Sequence, residues 1–140
     1  MKYAANEFIY VHHCISATTF ASTALTGTAV NTKNYTEALV CVNYGTAAAS
    51  AEHDVTILHG TTRTACTTSV GTFQQVTATN DLVTKALGVD LTKYGPWINV
   101  KFAADGTNIA RGSCDIMLLG ARNLPVTQAT AAKGTGVKRF

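Results

Sequence analysis

Thr36 to Tyr44 reads TEALVCVNY. In an extended chain, successive side chains point to opposite faces. Ala38, Val40 and Val42 therefore share one side, and Leu39 and Cys41 share the other. A strand that is apolar on both sides is covered on both sides. The stretch predicts a central, buried strand, and the segments around it carry the same two-residue rhythm. Phe8–Ser16 (FIYVHHCIS) reads as a first strand with Val11, His13 and Ile15 on one side. Thr18–Asn31 is Thr- and Ala-rich, and reads either as a strand pair or as one long strand bent around Gly27. After the small-residue loop Gly45–Ala51, Asp54–Gly60 alternates Val55, Ile57 and His59 against Thr56 and Leu58.

Ser69–Ala78 continues the pattern, with a bulge expected at Gly71. Val83–Leu91 places Val83, Lys85, Leu87, Val89 and Leu91 in one register. Tyr94-Gly95-Pro96 marks a turn that suits the fixed φ of proline. Trp97–Ala103 then turns Ile98, Val100 and Phe102 inward. Asp105-Gly106 is a hairpin signal leading into Ile109–Leu119, which Gly120 closes. No segment sustains a helical apolar stripe. About eight short strands at this spacing predict an all-β fold, an antiparallel β-sandwich or jelly roll.

A chain of 140 residues fits one domain, since domains most often run to about 100–150 residues. Charged residues make up 14% against 46% hydrophobic, which argues against disorder and predicts a neutral surface of Thr, Ser, Ala and Asn. The net charge of +3 is unevenly placed. Residues 121–140 carry Arg122, Lys133, Lys138 and Arg139 and no acid, whereas the rest has seven bases against eight acids. The expected organisation is a sandwich over residues 1–120 followed by an extended basic arm over 121–140. Leu124-Pro125-Val126 and Phe140 give that arm apolar anchors. Asn6 and Glu7 interrupt any apolar targeting segment at the start, and no stretch is long and apolar enough to span a membrane. Cys14, Cys41, Cys66 and Cys114 are scattered singly and read as reduced, mostly buried thiols, with two disulfides as the alternative.

The residues that could carry chemistry do not converge. Zinc needs ligands meeting at one point, yet His12 and His13 face opposite ways on a strand, as do His13 and Cys14. Asp54 and His59 are an odd number of residues apart, so an unbulged strand keeps them from serving a nucleophile at Cys66 or Ser69. The eight acids sit mostly at strand ends and turns, where local hydrogen bonds favour them. Gly134-Thr135-Gly136 lacks the helix and the pattern of a phosphate loop. No enzyme activity, metal, cofactor or small-molecule substrate is expected. Nucleic-acid binding would rest on the arm alone and is not expected. An exposed platform of Trp97, Tyr94 and Tyr44 is the basis of an alternative reading, a carbohydrate-binding sandwich from a tail fibre or adhesin.

One family resemblance is carried by the order of the residues. Thr28-Ala29-Val30-Asn31-Thr32-Lys33-Asn34-Tyr35 leads into Glu37-Ala38-Leu39-Val40. Val89-Asp90-Leu91-Thr92-Lys93, Trp97-Ile98-Asn99-Val100 and Leu118-Leu119-Gly120-Ala121-Arg122-Asn123-Leu124-Pro125-Val126 follow. This order resembles the small jelly-roll head-decoration, or cement, proteins of tailed phages. The likeness covers most of residues 28–126 and rests on strand-and-turn patterns, not on catalytic signatures. It implies a virion protein, assembled in the host cytoplasm, that sits as a homodimer or homotrimer on the capsid exterior and strengthens the shell. Its partner would be the major capsid protein. Read together with the charge split, it places the capsid contacts on Arg122, Leu124, Pro125, Val126, Lys133, Lys138, Arg139 and Phe140.

Overall fold

The structure is a computed structural model and describes residues 9–122. Within them the chain forms nine strands: β1 (Tyr10–Phe20), β2 (Leu25–Thr26), β3 (Val30–Asn31), β4 (Glu37–Ala47), β5 (His53–Gly60), β6 (Cys66–Val76), β7 (Thr84–Asp90), β8 (Trp97–Phe102) and β9 (Ala110–Leu119). One sheet runs β1-β9-β4-β7. The other runs β2-β8-β5-β6, with β3 also paired to β8. β2 and β3 meet the same strand and act as two pieces of one interrupted strand. Counted that way, eight strands make two four-stranded antiparallel sheets. The chain crosses between sheets at every connection except the β5–β6 hairpin, which is the winding of a jelly roll.

The core lies between the sheets and follows the alternation of the sequence. Ala38, Val40, Val42 and Tyr44 of β4 point inward, as do Val55 and Ile57 of β5, Ile98, Val100 and Phe102 of β8, and Cys114, Ile116 and Leu118 of β9. β4 lies between β9 and β7, the central position its two-sided pattern called for. The Phe102 ring packs 4.9 Å from the Phe20 ring and 6.4 Å from Tyr44, centroid to centroid. It rests on the bare backbone of Gly112, where an added Cβ would lie 2.8 Å from a ring carbon. That contact joins β8 of one sheet to β9 of the other.

The structure corrects several expectations. In β1 the register against β9 breaks between His13 and Ile15 and again between Ile15 and Thr18. The first break turns both Cys14 and Ile15 into the core and leaves His13 exposed, so Val11, His13 and Ile15 do not share a side. The Thr/Ala-rich segment resolves into the end of β1 plus the short β2 and β3. Between those two, Gly27 lies so close to Cys14 that a Cβ would stand 2.4 Å from its sulfur. Asp105-Gly106 does form a turn, with Gly106 at φ +51°. It is not a hairpin, however, because β8 and β9 lie in opposite sheets. The Asp105 carboxylate holds this crossover by accepting from the Glu52 N–H (2.7 Å) and the Asn108 side chain (3.0 Å). In β7 only Val89 is buried, and Leu87 is exposed on an edge strand. The bulge in β6 is present, with register broken between Ile57 and Leu58 opposite Gly71 and Ser69.

Candidate functional site

The jelly-roll winding presents two outward faces of different chemistry. On the β1-β9-β4-β7 sheet, cross-strand register lines up Val11, Met117, Leu39 and Gly88 in one row. Val11, Met117 and Leu39 are half-buried, and Gly88 leaves open space above its backbone. The next row is His13, Asp115, Cys41 and Ala86, and beyond it lie Ser113, Asn43 and Thr84. Asn43 donates to the Ser113 hydroxyl and accepts from Thr84. Beside the apolar row, a shallow depression of about 330 Å³ is lined by Leu39, Gly88 and Leu119 together with Glu37 and Asp90. This face therefore carries an apolar row beside polar groups that are largely satisfied by one another, the Asp115 carboxylate by His13 among them.

The other sheet's outer face is polar. A groove of about 470 Å³ crosses it, lined by Thr26, Asp54, Thr56, Leu58, Thr67 and Lys101 among others. Asp54 there accepts from the Gln75 side chain at 2.8 Å. Such a face keeps its hydration, so covering it costs more than covering its counterpart.

Several residues singled out in the sequence take structural places. His12 bonds the Thr28 carbonyl at 2.7 Å, and His59 accepts from the Gly95 N–H at 3.0 Å. His53 is fully buried, with Nδ1 2.8 Å from the Ala103 carbonyl and Nε2 2.9 Å from the Asn108 carbonyl. It thereby clamps the β8–β9 crossover onto the start of β5. Tyr44 points into the core, donates to the Gln74 carbonyl, and is pushed up in pKa by burial. Trp97 and Tyr94 are half-buried, with the Tyr94 ring 5.2 Å from His59. The platform of Trp97, Tyr94 and Tyr44 is thus not assembled. Among the described residues no group of three or more His, Cys, Asp or Glu could hold a metal ion. None of the described helices is long and apolar enough to cross a membrane.

One constellation escaped the sequence. His13 Nδ1 lies 2.6 Å from Asp115 Oδ1, and its Nε2 lies 3.1 Å from the Ser16 hydroxyl. The connectivity is that of a Ser-His-Asp triad. The three groups lie on the open sheet face, and none of them lines the cavities described here. The contact closes a span of 102 residues through the β1–β9 pairing, and no local motif signals it. Of the arm residues, Arg122 is exposed, and its backbone N–H donates to the Asn34 carbonyl at 2.9 Å. Leu124, Pro125, Val126, Lys133, Lys138, Arg139 and Phe140 lie outside the described residues.

No protein-family model matches the chain, and no curated protein sequence matches it. Among solved structures it is similar to a chain from Bacillus endospore appendages, described as a novel family of disulfide-linked pili. That match has a TM-score of 0.50 at 14% identity and covers 86% of this chain and 98% of the other. It is also similar to a chain of infectious bursal disease virus, Gx strain, with a TM-score of 0.42 at 15% identity. This second match covers 84% of the present chain and 33% of the viral one. At such identities the first likeness speaks for the all-β sandwich and for nothing finer.

Proposed function

We propose that this chain is a non-enzymatic structural module that coats the exterior of an assembled phage capsid and strengthens it, as the cement proteins it resembles do. More narrowly, the residue order resembles that of the cement protein of the Bordetella podovirus. The observation that carries the reading is the outer face of the β1-β9-β4-β7 sheet, with Val11, Met117 and Leu39 in one cross-strand row. Covering this row removes apolar surface from water and desolvates little charge. The partner is the major capsid protein, and the chain acts as a homodimer or homotrimer. The basic arm adds a second attachment through Arg122, Lys133, Lys138 and Arg139 to capsid acids, and through Leu124, Pro125, Val126 and Phe140 to apolar surface.

Such a module works by linkage. A ligand that binds only the assembled lattice stabilises the lattice by its binding free energy. Copies that each touch more than one subunit turn modest contacts into tight attachment. The test is co-sedimentation with purified shells, comparing the full chain with residues 1–120. Saturation at a fixed copy number, weakened by loss of the arm and by salt, supports the reading. Absence of co-sedimentation overturns it, and equal binding without the arm removes the arm contacts.

A further inference from the structure

Cys14 and Cys114 are brought together inside the sandwich although the sequence scatters them. Cys114 takes its inward place by the simple alternation of β9 and is fully buried. Cys14 arrives by a different route. It is the extra residue at the first register break of β1, between His13 opposite Asp115 and Ile15 opposite Cys114. A bulge bends its strand and re-aims a side chain. Here it turns the Cys14 sulfur inward, one residue from the register partner of Cys114, so that both thiols lie in the same buried core. The Cys14 S–H in turn points at Asn99 Oδ1, 3.4 Å away, while the Asn99 amide donates to the Gly27 carbonyl at 2.8 Å.

We propose that Cys14 and Cys114 form a latent redox pair, a modification site that a low-molecular-weight disulfide closes into a covalent bond tying β1 to β9. The inference stands on the core geometry and does not depend on the capsid reading. The Cys14 thiolate attacks one sulfur of the reagent, giving a mixed disulfide and releasing one small thiol. The Cys114 sulfur then attacks the Cys14 sulfur and releases the second small thiol. Two protein thiols are oxidised, one reagent disulfide is reduced to two thiols, and the two protons pass to the departing thiols. Cys14 lies on the edge strand and Cys114 on an interior one, which makes Cys14 the attacking partner; the neighbouring Cys114 also lowers the Cys14 pKa. The neighbouring Cys14, followed by burial, raises Cys114 and suits it to the second step.

Closing the bond strands no polar group, because Asn99 Oδ1 keeps the Val100 N–H at 2.8 Å after the Cys14 S–H is gone. Access comes from β1 itself, an edge strand broken twice in register, whose free side at Cys14 is covered by the Thr28 backbone alone, through the Thr28 N–H to the Cys14 carbonyl at 2.9 Å. Such a strand opens locally at lower cost than the interior strands β9 and β4. Neither other cysteine shares this site. Cys41 lies on the outer face beside Asp115, and Cys66 starts β6 in the other sheet with its S–H toward the Thr62 carbonyl. The ring closed by the bond spans roughly 100 residues, nearly the whole sandwich. Under the capsid reading, release from the host would carry the pair from reducing into oxidising surroundings.

The experiment incubates the full chain with oxidised glutathione a few degrees below its melting temperature, blocks remaining thiols, and maps peptides without reduction. The expected result is a Cys14–Cys114 peptide pair with Cys41 and Cys66 blocked or singly glutathionylated. The oxidised protein should melt about 8–15 °C higher than the reduced one, and a dithiol should reverse the shift. Cys114→Ala and Cys14→Ser should each abolish both signals. Should either variant fail to fold, the peptide map of the unmodified sequence decides alone. Recovery of Cys14 and Cys114 as unpaired thiols, or their pairing with Cys41 or Cys66, overturns the assignment.

Discussion

Phe102 is the residue through which the two-sheet account can be tested most quantitatively. It comes from β8, is fully buried, and lies against Phe20 of β1 and Gly112 of β9 in the opposite sheet. Removing the ring by Phe102→Ala loses its transfer free energy and leaves a cavity, about 3–5 kcal/mol for such a change. Part of that loss, about 0.5–1.5 kcal/mol, belongs to the aromatic contacts with Phe20 and Tyr44. A domain of this size is stable by only about 5–15 kcal/mol, so the variant should lose roughly a fifth or more of its stability. Denaturant titration reads this as a lower midpoint with an unchanged slope. The opposing change, Gly112→Ala, puts a methyl 2.8 Å from a ring carbon and should cost about 1–3 kcal/mol by overpacking. The two errors share one space. Gly112→Ala should therefore cost less in a Phe102→Leu background than alone, by about 1 kcal/mol in a double-mutant cycle. Strict additivity would refute the claim that β8 and β9 face each other across the core.

Further outcomes follow from other parts of the molecule. His53→Ala strands the carbonyls of Ala103 and Asn108 and opens a cavity, so it should cost about 3–5 kcal/mol and raise amide exchange across the β8–β9 crossover. Gly27→Val should prevent native packing outright, because its Cβ would fall on the Cys14 sulfur, and circular dichroism with thermal melting checks this. Asp105 is held low by the Glu52 N–H and the Asn108 side chain, and Asp90 by the Thr92 hydroxyl and N–H. A carboxylate depressed in the folded state adds stability above its unfolded pKa and loses it as pH falls through the folded value. Melting temperature should therefore drop between about pH 4 and pH 2, and less steeply in Asp105→Asn. A flat profile, or a drop on the alkaline side alone, would contradict the assignment. Leu39→Lys, on the outer face, should leave melting within a few degrees of the parent while weakening shell binding tenfold or more.

Strands whose alternation is unbroken were legible residue by residue. β4, β8 and most of β9 bury the side chains their period-2 pattern selects, since burial on one face is a local property of the extended chain. Sheet assignment was not legible, because it depends on connections. Asp105-Gly106 makes the same turn whether the next strand returns beside β8 or crosses to the other sheet. The bulge at Cys14 hid two contacts at once. A single added residue turns both Cys14 and Ile15 inward against the plain alternation, so Ile15 takes the place opposite Cys114 with Cys14 beside it, while His13 stays outside on Asp115. Leu87 fits the apolar period of β7 but lies at an edge where the opposite sheet does not cover it. For the site, charge distribution pointed to the arm, while the apolar row of Val11, Met117 and Leu39 depends on register among three strands far apart in sequence.

The most direct measurement is the dissociation temperature of purified, DNA-free phage shells titrated with this protein. A coat that strengthens the lattice predicts a rise that saturates at a fixed number of copies per shell, with intact shells bound and dissociated subunits ignored. Shells that fall apart at the same temperature at every protein concentration would contradict it.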